Sequence, residues 1–206
     1  MEMKKTMMVL MSKTDRVRGR SCHGFLLLLV LLAGVLQVPA QVDKRIEEIR
    51  RLDRQVNEQI AESERVEEGT GVYCNELVVN KRDKPWPAVG IYQTVFKFYY
   101  SYGDREKNPY PNRLLKITVT TRRSARQEYA EYLFNPAGQL IFYFEKKDQE
   151  DAPVERRYYF FSEKLIRRTT GQRVVDVNSR EALEAARLTL NEKKKLVDVF
   201  RKSLGD

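Results

Sequence analysis

Between residues 42 and 67 apolar side chains recur at helical spacing, as Val42, Ile46, Ile49, Leu52, Val56 and Ile60, with charges filling the other positions. That periodicity predicts an amphipathic helix over 41–68, its stripe narrow and interrupted by Asp53. The Gly69–Gly71 pair stops it. From Val72 to about Thr170 the period changes to two. β-Branched and aromatic residues dominate "VYCNELVVN", "IYQTVFKFYYSY", "RLLKITVTTRR", "QEYAEYLF", "QLIFYFEKK", "ERRYYFF" and "KLIRRTT". Each run ends in turn chemistry: "GDREKNPYPN", "NPAG", "DQEDAP" and a tight turn at Ser162–Glu163. Strands joined by such short links pair as antiparallel neighbours, so 72–170 reads as a meander of about six or seven strands. Helical spacing returns over 178–204, with Asn178 as candidate cap and Glu181 at the capping-box distance.

The order helix, meander, helix implies an α+β fold: a single domain over 41–206, with the N-terminal and C-terminal helices packed on one face of an antiparallel sheet. Ahead of it lies a different pattern. Lys4, Lys5, Lys13, Arg16, Arg18 and Arg20 precede the apolar run Phe25–Leu36, and "QVPA" comes next, with Val38 and Ala40 at the small-residue positions. Basic leader, apolar centre and small-residue end make a secretory signal over 1–40, cut between Ala40 and Gln41. An uncleaved anchor is the alternative. The expected location is exported, periplasmic or extracellular, with membrane contact only through that N-terminal segment.

Export changes the charge argument. The whole chain carries +9, but its leader is itself basic, which leaves about five net positive charges on the remainder. Charges of both signs are interspersed there, which suits a soluble surface with a mild preference for anionic partners. Nucleic acid is not expected as a partner in this compartment. Cys22 leaves with the signal, so Cys74 stands alone, without an internal disulfide, and is expected as a buried thiol on a strand.

The strongest chemical statements are exclusions. His23, the only histidine, lies in the leader, which removes Ser-His-Asp and Cys-His arrangements and histidine-containing zinc sites from the exported part. No cofactor and no metal are expected. Carboxylates remain. Glu145 and Glu155 flank one hairpin, and two carboxylates about 5–10 Å apart are the minimum for glycoside hydrolysis; the plainer reading pairs them with Arg156 or Arg157 across the strands. Glu128 and Glu131 point to opposite faces and cannot act together. The acidic loop Asp148–Asp151 lacks the spacing of a helix-flanked calcium loop.

Strict alternation sets Leu140, Phe142 and Phe144 on one face against Ile141, Tyr143 and Glu145 on the other. One face becomes core, and the opposite face interleaves tyrosine with arginine. Tyr143, Arg157 and Tyr159 are therefore the candidate binding surface, with Trp86 in "PWP" and Tyr110 in "NPYPN" as further candidates on loops. Buried, Trp86 plugs one end of the sheet, the preferred reading of the two. The stretch "YLFNPAGQL" resembles the Tyr-x-Phe…Gly-x-Leu pattern of repeat-built β-meanders in bacterial envelope proteins, while "YYFFSEKL" lacks its glycine. That resemblance implies hairpins and assigns no functional residue. The sequence leans away from catalysis. It reads as an exported protein that binds or modulates an envelope component: a protein, a polysaccharide or an anionic headgroup. A carboxylate-dependent glycan hydrolase and a membrane-tethered spacer are the alternatives.

Overall fold

The computed structural model describes residues 22–65, 71–87, 90–148 and 152–205, with side chains from Ala40 onward. The chain divides into two compact units, Met1–Gln41 and Val42–Asp206. Helix α1 runs over Cys22–Arg65, so its backbone continues back through the apolar run instead of starting after it. Among the described residues no helix is long and apolar enough to cross a membrane. The second unit holds the part of α1 from Val42 onward, the sheet and the C-terminal helix. The predicted glycine stop of α1 lies partly outside the described residues, as does most of the acidic loop at 148–151.

The strands are β1 (Val72–Val79), β2 (Pro85–Trp86), β3 (Gly90–Tyr102), β4 (Pro111–Arg123), β5 (Arg126–Phe134), β6 (Leu140–Lys147), β7 (Val154–Phe161), β8 (Lys164–Thr170) and β9 (Arg173–Val175). Helix α2 covers Arg180–Ser203. All strands join one antiparallel sheet in the order β1-β3-β4-β5-β6-β7-β8-β9, with β2 pairing β3. The α+β meander is thus as the pattern predicts, with two short strands added. "PWP" provides one of them, because Pro85 and Trp86 pair with Ile91 and Gly90.

The turns follow from local chemistry. Asn135 accepts from the amides of Ala137 and Gln139 through its side chain, and Gly138 takes the left-handed φ of 73° that closes this turn. Ser162 and Glu163 both have positive φ, the backbone twist a two-residue hairpin needs. Ser179, not Asn178, caps α2 by accepting from the Ala182 amide. Asn178 is held one position earlier, its amide bonded to Asp176.

The two helices lie on opposite faces of the sheet, which corrects the expectation of one shared face. Ile46, Ile49, Val56 and Ile60 of α1 pack with Tyr99, Leu115, Leu133, Phe142 and Tyr159. Ala182, Ala186, Leu196 and Phe200 of α2 pack with Phe98, Ile117, Tyr132, Tyr143, Tyr158 and Phe160. The reason is in the strands themselves: β3 carries Phe98 and Tyr100 on one side and Tyr99 on the other, and β5 sets Tyr132 and Phe134 against Leu133. Both faces are apolar at the centre, and each needs a cover. Fully burying a side chain such as Phe98 or Phe160 contributes about 1.5–3 kcal/mol.

An extra residue stands at a matching level in β4, β6 and β8, and β4 has a second, Asn112, between Ser101↔Arg113 and Tyr102↔Pro111. The register skips Leu115 between Tyr99↔Lys116 and Tyr100↔Leu114, Ile141 between Leu133↔Phe142 and Phe134↔Leu140, and Ile166 between Tyr159↔Arg167 and Phe160↔Leu165. The pairings Lys116↔Leu133 and Phe142↔Tyr159 place these bulges side by side across the sheet. The side chains of Leu115, Ile141 and Ile166 all belong to the cluster under α1. A bulge kinks its strand and shifts the alternation by one. Leu140 therefore joins the α2 face with Tyr143, not the face of Phe142 and Phe144.

Candidate functional site

On the α2 face the register lines up Phe98, Ile117, Tyr132, Tyr143, Tyr158 and Arg168 as successive partners from β3 to β8. The three phenol rings form a row, with centroids 4.8 Å apart between Tyr132 and Tyr143 and 5.3 Å between Tyr143 and Tyr158. The Arg168 guanidinium comes next, 5.3 Å from the Tyr158 centroid. It is 4% exposed and donates at 2.9 Å to Glu181 in the first turn of α2. The aligned register leaves cross-strand neighbours at the spacing where aromatic pairs interact.

One row further along lies Glu145, paired in register with Arg156. Its carboxylate accepts from Arg156 at 2.9 Å and from the Tyr143 hydroxyl at 3.2 Å, and Lys147 stands 3.1 Å away. Glu145 and Lys147 join the three tyrosines to floor a cleft of about 700 Å³, walled on the other side by Leu188, Thr189, Asn191, Glu192 and Lys195 of α2. Glu192 faces Lys195 at 3.5 Å, so the acids and bases lining the cleft are balanced.

Burial pushes the Glu145 carboxyl up, but Lys147 and Arg156 together outweigh it and hold the group below its ordinary value. Burial raises Tyr132, Tyr143 and Tyr158. The phenols are thereby kept as neutral donors and Glu145 as a charged acceptor across the physiological range. That is hydrogen-bonding equipment with fixed polarity. A general acid needs a carboxyl held protonated near the working pH, and Glu145 is tuned the opposite way.

The residues singled out from the sequence are scattered. Tyr143 is buried in the floor of the cleft under α2, whereas Tyr159 is buried on the other face, where its hydroxyl accepts from Arg50 at 3.4 Å. Arg157 shares the face of Tyr159, lies over the Phe144 ring at 4.9 Å and bonds Glu155 at 2.8 Å. The three do not make one surface. A bulge separates Leu140 from Tyr143, and the register sets Tyr143 opposite Tyr158, not Tyr159. Glu145 and Glu155 likewise face opposite sides, paired in register with Arg156 and Lys146, so the carboxylate pair that the hydrolase alternative needs does not form. Both carboxylates instead meet arginines.

Trp86 is 43% exposed on β2, its ring 5.2 Å from Tyr92, and so it does not plug the sheet. Tyr110 is 73% exposed in the loop between β3 and β4. Neither borders the cleft. Ala40 and Gln41 sit within α1, both exposed. Cys74 is exposed on the edge strand β1 rather than buried, with partial desolvation pushing its thiol up. Among the described residues no group of three His, Cys, Asp or Glu is placed to hold a metal ion.

Sequence reasoning missed Tyr132, Tyr158, Lys147 and Arg168 as members of one site. It also missed a buried ionic network on the α1 face. There Lys116, 1% exposed, donates at 2.7 Å to Asp53 and at 2.7 Å to Asn57, with Glu131 at 3.4 Å. Tyr129 closes the network by donating to Glu131 at 3.1 Å. The available signals were Asp53 breaking an apolar helical stripe and Lys116 sitting inside "LLKITV". No family model matches the chain, and no curated protein or solved structure is similar to it.

Proposed function

We propose that the chain is an exported binding protein that recognises another component of the envelope, without catalysis, through the cleft between α2 and the sheet. The observation that carries this reading is the tyrosine row whose central member, Tyr143, bonds Glu145, a carboxylate fixed also by Arg156 and Lys147 at the floor of that cleft. Concave sites with a few convergent polar groups are where proteins take ligands. The polarity of these groups is locked, which favours recognition over proton transfer. Export rests on the basic leader, apolar run and "QVPA" of the first 40 residues.

The test is affinity capture from envelope extract, comparing the wild type with Leu188→Glu and Lys195→Glu, two exposed changes on the α2 wall, and with Arg187→Glu elsewhere on the helix. A partner retained by the wild type and by Arg187→Glu, and lost by both cleft variants, is the expected outcome. Equal capture by all four proteins sinks the cleft.

A further inference from the structure

The flank of α2 opposite the cleft leaves a second cavity, of about 520 Å³, at the end of the sheet. It lies where the last turns of α2 meet the β3–β4 loop and the Asn135–Gly138 turn. Leu114, Phe134 and Phe200, all buried members of the core, line it together with Val197 and Leu204. The volume falls within the range of about 300–1,000 Å³ in which small-molecule sites are found.

Two arginines line the same cavity, Arg113 and Arg201. Neither has a carboxylate within ion-pair distance among the described residues. The Arg113 Nε is buried and has no hydrogen-bond partner. The acid in the lining, Asp104, is already engaged by Lys107 at 2.9 Å. Burying a donor without an acceptor costs free energy, and an anionic group entering the cavity would relieve that cost. The chemistry is therefore divided: hydrocarbon lining on one part, unneutralised guanidinium on another.

We infer that this cavity binds a single-chain anionic amphiphile, its carboxylate taken by Arg113 and Arg201 and its hydrocarbon tail laid against Leu114, Phe134 and Phe200. Guanidinium suits this head group because it presents several donors in one plane to a carboxylate. The tail supplies affinity by leaving water, at about fourfold per methylene buried.

Isothermal titration of the full chain with dodecanoate, octanoate, acetate and dodecanol, each below its aggregation threshold, tests the assignment. Dodecanoate is expected to bind with one molecule per chain, octanoate at least tenfold more weakly, and acetate and dodecanol not measurably. Arg201→Gln, an exposed and fold-neutral change, is expected to weaken dodecanoate at least tenfold, and Arg201→Lys to restore part of that loss. Lys202→Gln, next in sequence but outside the lining, and Leu188→Glu, in the other cleft, leave it unchanged. Absence of dodecanoate binding overturns the proposal, as do equal affinity for dodecanol and equal losses in Arg201→Gln and Lys202→Gln. Capture of the protein on anionic phospholipid vesicles that free dodecanoate does not compete away also overturns it, since that result assigns the arginines to a membrane surface.

Discussion

Lys116→Met isolates the most exposed weakness of the α1 face. The ammonium is almost fully buried and is held by Asp53 and Asn57 at 2.7 Å each, with Glu131 at 3.4 Å. Methionine matches the stem in volume and keeps its packing, so the change removes the charge and little else. It leaves two carboxylates against the sheet, with side chains of Asp53 and Glu131 only 23% and 14% exposed. Breaking one partner of a buried pair costs about 3–5 kcal/mol. Asp53 keeps some contact with water, which places the expected cost at the lower end, about 3 kcal/mol. With a urea slope of about 2 kcal/mol per M, the midpoint of unfolding falls by about 1.5 M at unchanged slope. The companion variant Lys116→Met/Asp53→Leu/Glu131→Gln removes the stranded charges too and is expected within about 1 kcal/mol of the wild type. Urea unfolding followed by circular dichroism reads both. A midpoint shift below about 0.5 M for the single variant, or no recovery in the triple variant, refutes the claim that stranded carboxylates set the cost.

Three smaller effects belong to the α2 face. Tyr143→Phe removes the donor to Glu145 and leaves the ring in its row, so it costs about 1 kcal/mol in urea unfolding, against several for Tyr143→Ala. Glu145 has a folded-state value depressed below its ordinary 4.5, so the stability it confers is full above that value and lost as pH falls through the folded one. The stability difference between wild type and Glu145→Gln is therefore expected constant above about pH 5.5 and shrinking below it; a difference that grows on acidification contradicts the sign. Ser179→Ala removes the α2 cap and costs about 1 kcal/mol, while Asn178→Ala, outside the cap, changes thermal unfolding little.

The fold was legible because its signals are local. Period, turn residues and short links determine which segments are strands and that neighbours run antiparallel, and these features survive in the structure from β3 through β8. The site was not legible because it depends on phase. One extra residue in β6 brings Leu140 onto the face of Tyr143, and no residue type at Ile141 announces a bulge. Strict alternation also paired Tyr143 with Tyr159, whereas the hairpin register, fixed by a loop partly outside the described residues, sets it against Tyr158. A second obstacle was the assumption that one face is core and the other open. Both carry large apolar residues at the centre of the sheet, so neither tyrosine remained available as a freely exposed surface.

Two amphipathic helices and two apolar faces leave the assignment of helix to face to be decided by something other than hydrophobicity. The buried charges decide it. On the α1 face Lys116 interrupts a row otherwise formed by Tyr99, Leu133 and Phe142, and Asp53 interrupts the stripe of the helix that covers it. Laid on the opposite face, α1 would bring Asp53 against Ile117 and Tyr132, neither of which offers a cation, at the cost of an unpaired buried carboxylate. The reverse exchange is no better. Lys193, a buried residue of α2, bonds Glu163 at 2.6 Å in the β7–β8 turn. Over the α1 face it would descend on a row that already holds Lys116. Each helix therefore finds, on the face it covers, a partner for its own buried charge. The aligned bulges at Leu115, Ile141 and Ile166 act in the same direction, because they add apolar side chains to the α1 side alone. With α1 committed to that side, α2 is the element left to close over the tyrosine row, and its position there creates the cleft on one flank and the arginine-lined cavity on the other.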